Sequence, residues 1–171
     1  DLPGPEWGEL LMVKALHMDV EHCTGCHQCE MACSYHHENV FNPSKSRIKI
    51  FSFTETGRNV PYTCTQCADA WCMQACPVDA ISVNAKTGAK EVSAVLCVGC
   101  KVCTIACPFG TINYNHTSGK VDKCDLCGGD PDCVKVCPTP ALSFIDAENT
   151  GMGKMRAWAE KTDAGSQSTS T

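Results

Sequence analysis

The feature that most constrains this chain is its cysteine pattern. Sixteen of its 171 residues are cysteine. A chain this short with so much cysteine needs a cross-linking framework, supplied either by disulfides or by metal. The cysteines fall into four quartets with none left over: Cys23, Cys26, Cys29 and Cys33; Cys64, Cys67, Cys72 and Cys76; Cys97, Cys100, Cys103 and Cys107; and Cys124, Cys127, Cys133 and Cys137.

The spacing within the quartets favours iron–sulfur clusters. In C-x2-C-x2-C a tight loop wraps its backbone around one cubane, so that three thiolates point inward and amides are free to donate to sulfur. The next cysteine lies on the helix that leaves the loop and ligates a neighbouring cluster. Gly25 and Gly99 suit this loop, because a side chain there would obstruct the close approach of the backbone.

The residue after the last cysteine predicts where each helix ends. Pro77, Pro108 and Pro138 follow the last cysteine of three quartets and should end short helices there. The first quartet is followed by Ser34 instead, so its helix can continue through residues 35–36.

Other uses of the cysteines fit less well. Zinc ribbons need two C-x2-C pairs per site and have no use for a third cysteine or for Cys-Pro. A disulfide scaffold would crowd its partners onto one loop. A 3Fe–4S cluster at one site stays open, although no ligand cysteine is missing. Because no hydrolytic triad, nucleotide loop or paired-carboxylate site is recognisable, we expect a protein that is not itself an enzyme.

Charge and hydropathy narrow the function further. The formal net charge is −5 and no basic run is present, which argues against nucleic acid as a partner. Apolar runs such as Leu10–Val13 and Ala94–Val98 are far too short to span a membrane. Residues 1–22 contain no secretory signal, although a leader could have preceded Asp1. Metal thiolates belong to reducing compartments, so we predict a soluble, cytoplasmic protein.

Short β-prone runs between the quartets predict an α+β fold. Residues 80–83 and 91–93 flank a turn and should form a hairpin, and residues 110–114 and 120–122 should form another. Spacing alone allows several pairings of the quartets, and a sensible one nests the second and third between the first and fourth. The predicted domains are an N-terminal extension (1–11), a four-cluster domain (12–146) with an outer unit (12–53 and 120–146) and an inner unit (54–119), and a C-terminal helix and flexible tail (147–171).

Several polar and aromatic side chains lie beside the ligands. Lysines near ligands could raise a cluster's potential by their charge, and Trp71 should shield a cluster from water. Histidines around the first quartet should act by donating to cluster sulfur or by contacting a partner. The lysines are Lys101, Lys123 and Lys135, and the histidines are His22, His27, His36 and His37.

The four quartets resemble the iron–sulfur subunits of molybdenum and tungsten oxidoreductases, of the type found in dimethyl sulfoxide reductase, over about residues 10–146. The resemblance implies two bacterial-ferredoxin-like units, one nested in the other, and four 4Fe–4S clusters. The ligand sets that it implies are Cys23, Cys26, Cys29 and Cys137; Cys33, Cys124, Cys127 and Cys133; Cys64, Cys67, Cys72 and Cys107; and Cys76, Cys97, Cys100 and Cys103.

One stretch narrows the resemblance. Tyr35-His36-His37-Glu38, followed by Asn42-Pro43-Ser44-Lys45-Ser46-Arg47-Ile48, is similar to the small iron–sulfur proteins of tungsten-dependent aldehyde oxidoreductases and their benzoyl-CoA reductase relatives. This implies an electron-transfer subunit that links a tungstopterin catalytic subunit to an acceptor, either ferredoxin or a flavin subunit that reduces NAD. The alternatives are a free polyferredoxin, or the electron-transfer subunit of another molybdopterin enzyme, a hydrogenase or a carbon monoxide dehydrogenase. End-to-end self-association is a further possibility.

Overall fold

A computed structural model describes residues 14–146, 155–156 and 159–160. The predicted N-terminal extension, residues 1–11, lies outside the described residues. So does most of the predicted C-terminal helix and tail, residues 147–171, although residues 155–156 and 159–160 are helical.

Short strands alternate with short helices along the described chain, so the α+β character predicted from the sequence is confirmed. The strands are β1 (Lys14–Met18), β2 (Lys49–Phe53), β3 (Arg58–Tyr62), β4 (Ile81–Val83), β5 (Lys90–Val92), β6 (Asn113–Asn115), β7 (Lys120–Asp122) and β8 (Leu142–Asp146). The helices are α1 (Gln28–Glu38), α2 (Trp71–Gln74), α3 (Val102–Ala106) and α4 (Asp132–Lys135), with 3-10 turns at Pro43–Lys45 and Leu126–Gly129.

The strands form two-stranded antiparallel sheets, of which one joins the two ends of the described domain. β1 pairs with β8, from Lys14 opposite Asp146 to Met18 opposite Leu142. The hairpins β4–β5 and β6–β7 confirm the two that the turn residues predicted. The hairpin β2–β3 was not predicted. The β2–β3 hairpin crosses the predicted boundary between the outer and inner units at residues 53 and 54. The β6–β7 hairpin crosses the second predicted boundary between these units, at residues 119 and 120.

Helix α1 is the longest helix, with 11 residues, and its length follows from the residue after Cys33. Ser34 leaves the backbone free to continue, and α1 ends only at Asn39, which adopts a left-handed conformation and donates its N–H to the Tyr35 carbonyl oxygen. The helices before the three Cys-Pro pairs have four or five residues. Within the described residues, no helix combines the length and the apolarity needed to cross a membrane.

Two clusters of buried side chains make up the core. Because isolated two-stranded hairpins are at best marginally stable, these clusters must hold the sheets in place. The helices pack accordingly, α1 against α4 and α2 against α3. One cluster contains Cys29, Cys33, Ile48, Cys133 and Leu142, and the other contains Ala80, Ile81, Cys97, Cys103, Ile112 and Val121.

Candidate iron–sulfur centres

All sixteen cysteines lie in the described part of the chain, and they converge at four places, which we call sites a to d. Three of these sites are cavities with four cysteines in their lining. At the fourth place, site b, three further cysteines surround Cys133 and complete the set. The members are Cys23, Cys26, Cys29 and Cys137 at site a; Cys33, Cys124, Cys127 and Cys133 at site b; Cys64, Cys67, Cys72 and Cys107 at site c; and Cys76, Cys97, Cys100 and Cys103 at site d.

The four sites follow one another through the molecule. Each neighbouring pair of sites has two thiols close enough to influence each other's ionisation. These pairs are Cys29 with Cys133 between sites a and b, Cys64 with Cys124 between sites b and c, and Cys72 with Cys103 between sites c and d. Cys26 at site a and Cys100 at site d are exposed, whereas every cysteine of sites b and c is buried or half-buried.

Burial raises the pKa of several of these thiols, which makes those thiols difficult to ionise unless a cation is present. Burial, together with the nearby Glu30 carboxylate, raises the pKa of Cys29 to about 12. Burial and the neighbouring thiol of Cys100 raise the pKa of Cys103 to about 11, and burial also raises the pKa of Cys133. Ligation of a metal removes the proton from a thiol and supplies the compensating charge. The crowded donor set therefore fits iron–sulfur ligation.

Two backbone amides that follow the cysteine loops donate to ligand sulfur atoms. The Arg47 amide lies 3.3 Å from the Cys33 Sγ atom, and the Ala80 amide lies 3.3 Å from the Cys76 Sγ atom. Both cysteines are the last of their quartet, but the donating amide lies 14 residues after Cys33 at site b and four residues after Cys76 at site d. Such hydrogen bonds stabilise the thiolate form and are among the factors that set cluster potentials.

The wrapped loops need backbone conformations that favour glycine. Gly25 and Gly99 both have a φ angle of +70°. A Cβ atom at Gly25 would lie 2.6 Å from the side chain of Asn59, and one at Gly99 would meet the carbonyl oxygen of Gly119. In the second and fourth quartets the third position of C-x2-C is Gln66 and Leu126, which also have positive φ angles of 52° and 59°.

His37 is the histidine most closely associated with a ligand. Its side chain is only 10% exposed, and its Nε2 atom lies 3.9 Å from the Cys127 Sγ atom and 3.6 Å from the Asp125 Oδ1 atom. Burial and the nearby Arg47 guanidinium lower the pKa of His37 to about 4, so the ring is neutral at pH 7. A neutral imidazole has one N–H to donate, and the predicted donation to sulfur is possible only in the tautomer that protonates Nε2.

The other histidines of the first quartet contact carboxylates. His22 pairs with Asp19, and His36 Nδ1 lies 2.5 Å from Asp132 Oδ2, which links α1 to α4. His27 Nδ1 lies 2.8 Å from Glu30 Oε2. These contacts orient the imidazole rings within the protein.

The three lysines beside ligands have different surroundings. Lys101 lies over the ring of Tyr114, with 3.8 Å between Nζ and the ring centroid. Lys135 is exposed and pairs with two aspartates, at 2.6 and 2.9 Å. Lys123 is buried. Trp71 lines the cavity of site c but is 60% exposed, so it covers this site only in part.

The sequence did not point to Glu30 or Gln66. Glu30 is 5% exposed and accepts a hydrogen bond of 2.8 Å from the Ile50 amide. Gln66 donates from Nε2 to the Cys124 carbonyl oxygen at 2.7 Å and accepts from the Lys90 amide at 2.9 Å, and so connects sites b and c. One signal could have indicated Gln66, because it occupies the loop position that is glycine in the first and third quartets.

Comparison with known families assigns the chain to a class. Residues 56–147 match the family described as "4Fe-4S dicluster domain", and residues 20–36 match a "4Fe-4S binding domain". The first match covers more than half of the chain. The protein therefore belongs to the 4Fe–4S dicluster family, and it binds 4Fe–4S clusters.

Individual relatives agree with this class. The chain is 46% identical over 115 residues to the "aliphatic sulfonate oxidoreductase, polyferredoxin-like subunit" of Pyrococcus furiosus, an alignment that covers 67% of this chain and 66% of the relative. It is 37% identical over 148 residues to the "putative electron transport protein YsaA" of Escherichia coli, covering 81% of this chain and 93% of that protein. Formate hydrogenlyase subunit 2 of Escherichia coli is 34% identical over 170 residues, covering 78% and 81%.

Among solved structures, the chain is similar to a chain of the BamBC active-site complex of benzoyl-coenzyme A reductase with bound benzoyl-CoA. The sequence identity is 25%, the TM-score is 0.45, and the alignment covers 86% of this chain and 89% of the other.

Proposed function

We propose that this chain is a non-catalytic electron-transfer subunit, which relays single electrons through four 4Fe–4S clusters between a catalytic oxidoreductase subunit and a further acceptor. The observation that carries the proposal is the order of the sites. Sites a, b, c and d are neighbours in that order, and each terminal site has an exposed cysteine. A relay needs this arrangement, with covered centres in the middle and accessible ones at the ends.

In this proposal each of the four cysteine sets holds one cluster. The resemblance implies these ligand sets, and the convergence of the same cysteines at sites a to d supports them. When bound, each 4Fe–4S cluster would accept and release one electron. The protein's part is to supply the four thiolates, to direct the amides of Arg47 and Ala80 at ligand sulfur, and to cover sites b and c.

The proposed architecture has an inner ferredoxin-like unit nested in an outer one. Its support is the pairing of β1 with β8, and of α1 with α4, across most of the chain. Since the β2–β3 hairpin packs with the outer core and Val121 belongs to the inner core, we place the inner unit at residues 63–122 and the outer unit at residues 14–62 and 123–146. The chain thus returns to the outer unit at Lys123.

We propose a tungstopterin aldehyde oxidoreductase subunit as the electron donor, with ferredoxin or a flavin subunit that reduces NAD as the acceptor. The motif at residues 42–48 supports a partner of this kind, and the relative named as a subunit of an aliphatic sulfonate oxidoreductase supports a catalytic oxidoreductase partner in general. In the fold, this motif wraps site b: Ser46 and Ile48 are buried, and the Arg47 amide donates to Cys33. The proposed cytoplasmic location rests on the preference of metal-ligating thiolates for a reducing compartment.

Native purification under anaerobic conditions tests the proposal. We expect about sixteen irons and as much acid-labile sulfide per chain, and uptake of about four electrons per chain on reductive titration. Tungsten should co-purify in a larger subunit. Markedly fewer irons would contradict the four-cluster proposal. A full iron content in a chain that elutes alone would contradict the subunit assignment and leave a free polyferredoxin.

A further inference from the structure

Lys123 is buried where a lysine is seldom found. Its side chain is 2% exposed, and of the residues that the structure describes it is the one basic side chain in the buried class. Its Nζ atom donates to the Cys124 carbonyl oxygen at 2.9 Å, to the Lys90 carbonyl oxygen, and more weakly to the Gln66 Oε1 atom at 3.4 Å. All three acceptors are neutral.

The ammonium group lies between sites b and c. Lys123 directly precedes Cys124, a ligand of site b, and its side chain lines the cavity that contains the four cysteines of site c. Its charge is also close enough to the Cys72 thiol of site c to interact with it. The same charge therefore acts on both of the central sites.

Burying a cation against neutral oxygens alone is costly. Within the described residues, Lys123 takes part in none of the ion pairs, whereas Arg47 near site b is paired with Asp125 at 2.6 Å. Thiolate-ligated clusters on both sides would supply the missing negative charge. The burial of Lys123 thus becomes favourable when sites b and c carry their clusters.

We propose that Lys123 is the potential-setting residue of the relay, a buried ammonium group that raises the reduction potentials of the clusters at sites b and c. This inference rests on the proposed four-cluster function. Reduction adds negative charge to a cluster, and a nearby cation in a medium of low dielectric stabilises that charge. Site a has the opposite surroundings, because the buried Glu30 carboxylate lies beside Cys29. Electrons should therefore reside preferentially on the two central clusters.

The test is a redox titration of the anaerobically purified protein, monitored by electron paramagnetic resonance. It compares the wild type with Lys123→Met and with a matched control variant. Lys123→Met keeps the length of the side chain and removes its charge. We expect the midpoint potentials of two of the four clusters to fall, each by at least a tenfold change in the one-electron equilibrium, which is about 59 mV. The one-electron equilibria of the other two clusters should change by less than threefold. Unchanged midpoints at full iron content, or an equal shift of all four, would overturn the proposal.

The matched control is Lys135→Gln. Lys135 also lies within two residues of ligand cysteines, but it is exposed and already paired with Asp130 and Asp132. Removing its charge should change the one-electron equilibrium of each of the four clusters by less than threefold from the wild-type value. A shift as large as that of Lys123→Met would contradict the special role of the buried position.

A second variant keeps the proposal testable if Lys123→Met does not take up iron. Gln66→Glu retains Lys123 and adds a negative charge at its side, so the same two midpoints should fall. Full iron content with unchanged midpoints in this variant would contradict the inference. The iron content of the wild type distinguishes failure of the proposed function from failure of the role of Lys123. Fewer than four clusters in the wild type would contradict the proposed function. Unchanged midpoints in a variant of a four-cluster protein would contradict only the role of Lys123.

Discussion

The regions around sites a and b and around sites c and d each contain one quartet of the same cysteine spacing but differ in their helices. The first and third quartets are both C-x2-C-x2-C-x3-C. Helix α1 nevertheless has 11 residues and α3 has five. The difference arises at one residue, Ser34 after the first quartet and Pro108 after the third. The spacing of the ligands thus determines the loop, and the following residue determines the length of the helix.

The surfaces of the two regions differ as well. Around sites a and b, polar pairs connect distant segments: Arg47 forms an ion pair with Asp125 at 2.6 Å, and His36 Nδ1 lies 2.5 Å from Asp132 Oδ2 in a hydrogen bond. Near site d, apolar side chains are exposed: Val95 by 91%, Val98 by 63% and Ile105 by 87%. Polar pairs over a long range therefore distinguish the proposed outer unit, whereas uncovered apolar surface occurs in both proposed units, since Phe41 is 66% exposed and Phe53 is 54% exposed.

The largest expected effect comes from making the first quartet like the third. In Ser34→Pro, a proline would interrupt α1 and remove a buried hydroxyl that donates to the Met31 carbonyl oxygen and accepts from the Asn42 amide. A proline inside a helix costs about 3 kcal/mol or more. We expect a large fall in the urea midpoint for loss of the visible cluster absorbance, together with loss of helical circular dichroism.

The reciprocal change, Pro108→Ser, is the control. Because α3 ends before Pro108 and no helix is interrupted, it should shift the urea midpoint far less. Equal effects of the two changes would show that the length of α1 does not matter to the outer unit.

A smaller effect is expected in the core of the outer unit. Ile48 is 2% exposed and packs with Cys33 and Cys133, so Ile48→Ala should leave a cavity that costs about 2–5 kcal/mol. The matched change at the surface of the inner unit, Ile105→Ala, should fall within about 0.5 kcal/mol of wild type. Urea unfolding of both variants, at equal iron content, makes the comparison. An Ile105 effect as large as that of Ile48 would mean that the apolar surface near site d is covered in the protein.

The smallest effect is expected from the polar link between α1 and α4. His36→Phe removes the contact with Asp132, which is partly exposed, and should lower stability by about 1 kcal/mol. His116→Phe is the matched change in the inner unit, where His116 packs edge-on against Tyr114, and should have no measurable effect. The two variants are compared by the temperature at which the cluster absorbance is lost. A larger fall in this temperature for His116→Phe than for His36→Phe would contradict the expected difference between the two regions.

Much of the local structure could be predicted from the sequence. The hairpins at residues 80–93 and 110–122 follow from turn residues between β-prone runs, and the extended α1 follows from Ser34. These features depend on neighbours in the chain. The β2–β3 hairpin was missed because Pro61 weakens the strand pattern, although proline is tolerated in a two-stranded sheet whose strands are both edges.

Features that depend on distant segments could not be predicted. The sequence placed Lys123 beside a ligand, as it did Lys101 and Lys135. Its burial was not predicted, because it depends on the carbonyl oxygens of Lys90 and Cys124 and on the side chain of Gln66. Likewise, the residues around Glu30 in the sequence do not indicate that its carboxylate accepts a hydrogen bond from the amide of Ile50, 20 residues away. Burial of a polar group is decided by the tertiary partners that satisfy it.

The central claim is that Cys137, from the fourth quartet, completes site a and not site b. The most direct test compares the electron paramagnetic resonance spectra of three reduced variants, Cys137→Ala, Cys26→Ala and Cys133→Ala. Cys137→Ala and Cys26→Ala should lose or alter the same cluster signal, and Cys133→Ala should affect a different one. If Cys137→Ala instead affected the signal that Cys133→Ala affects, the nested grouping of ligands would be contradicted.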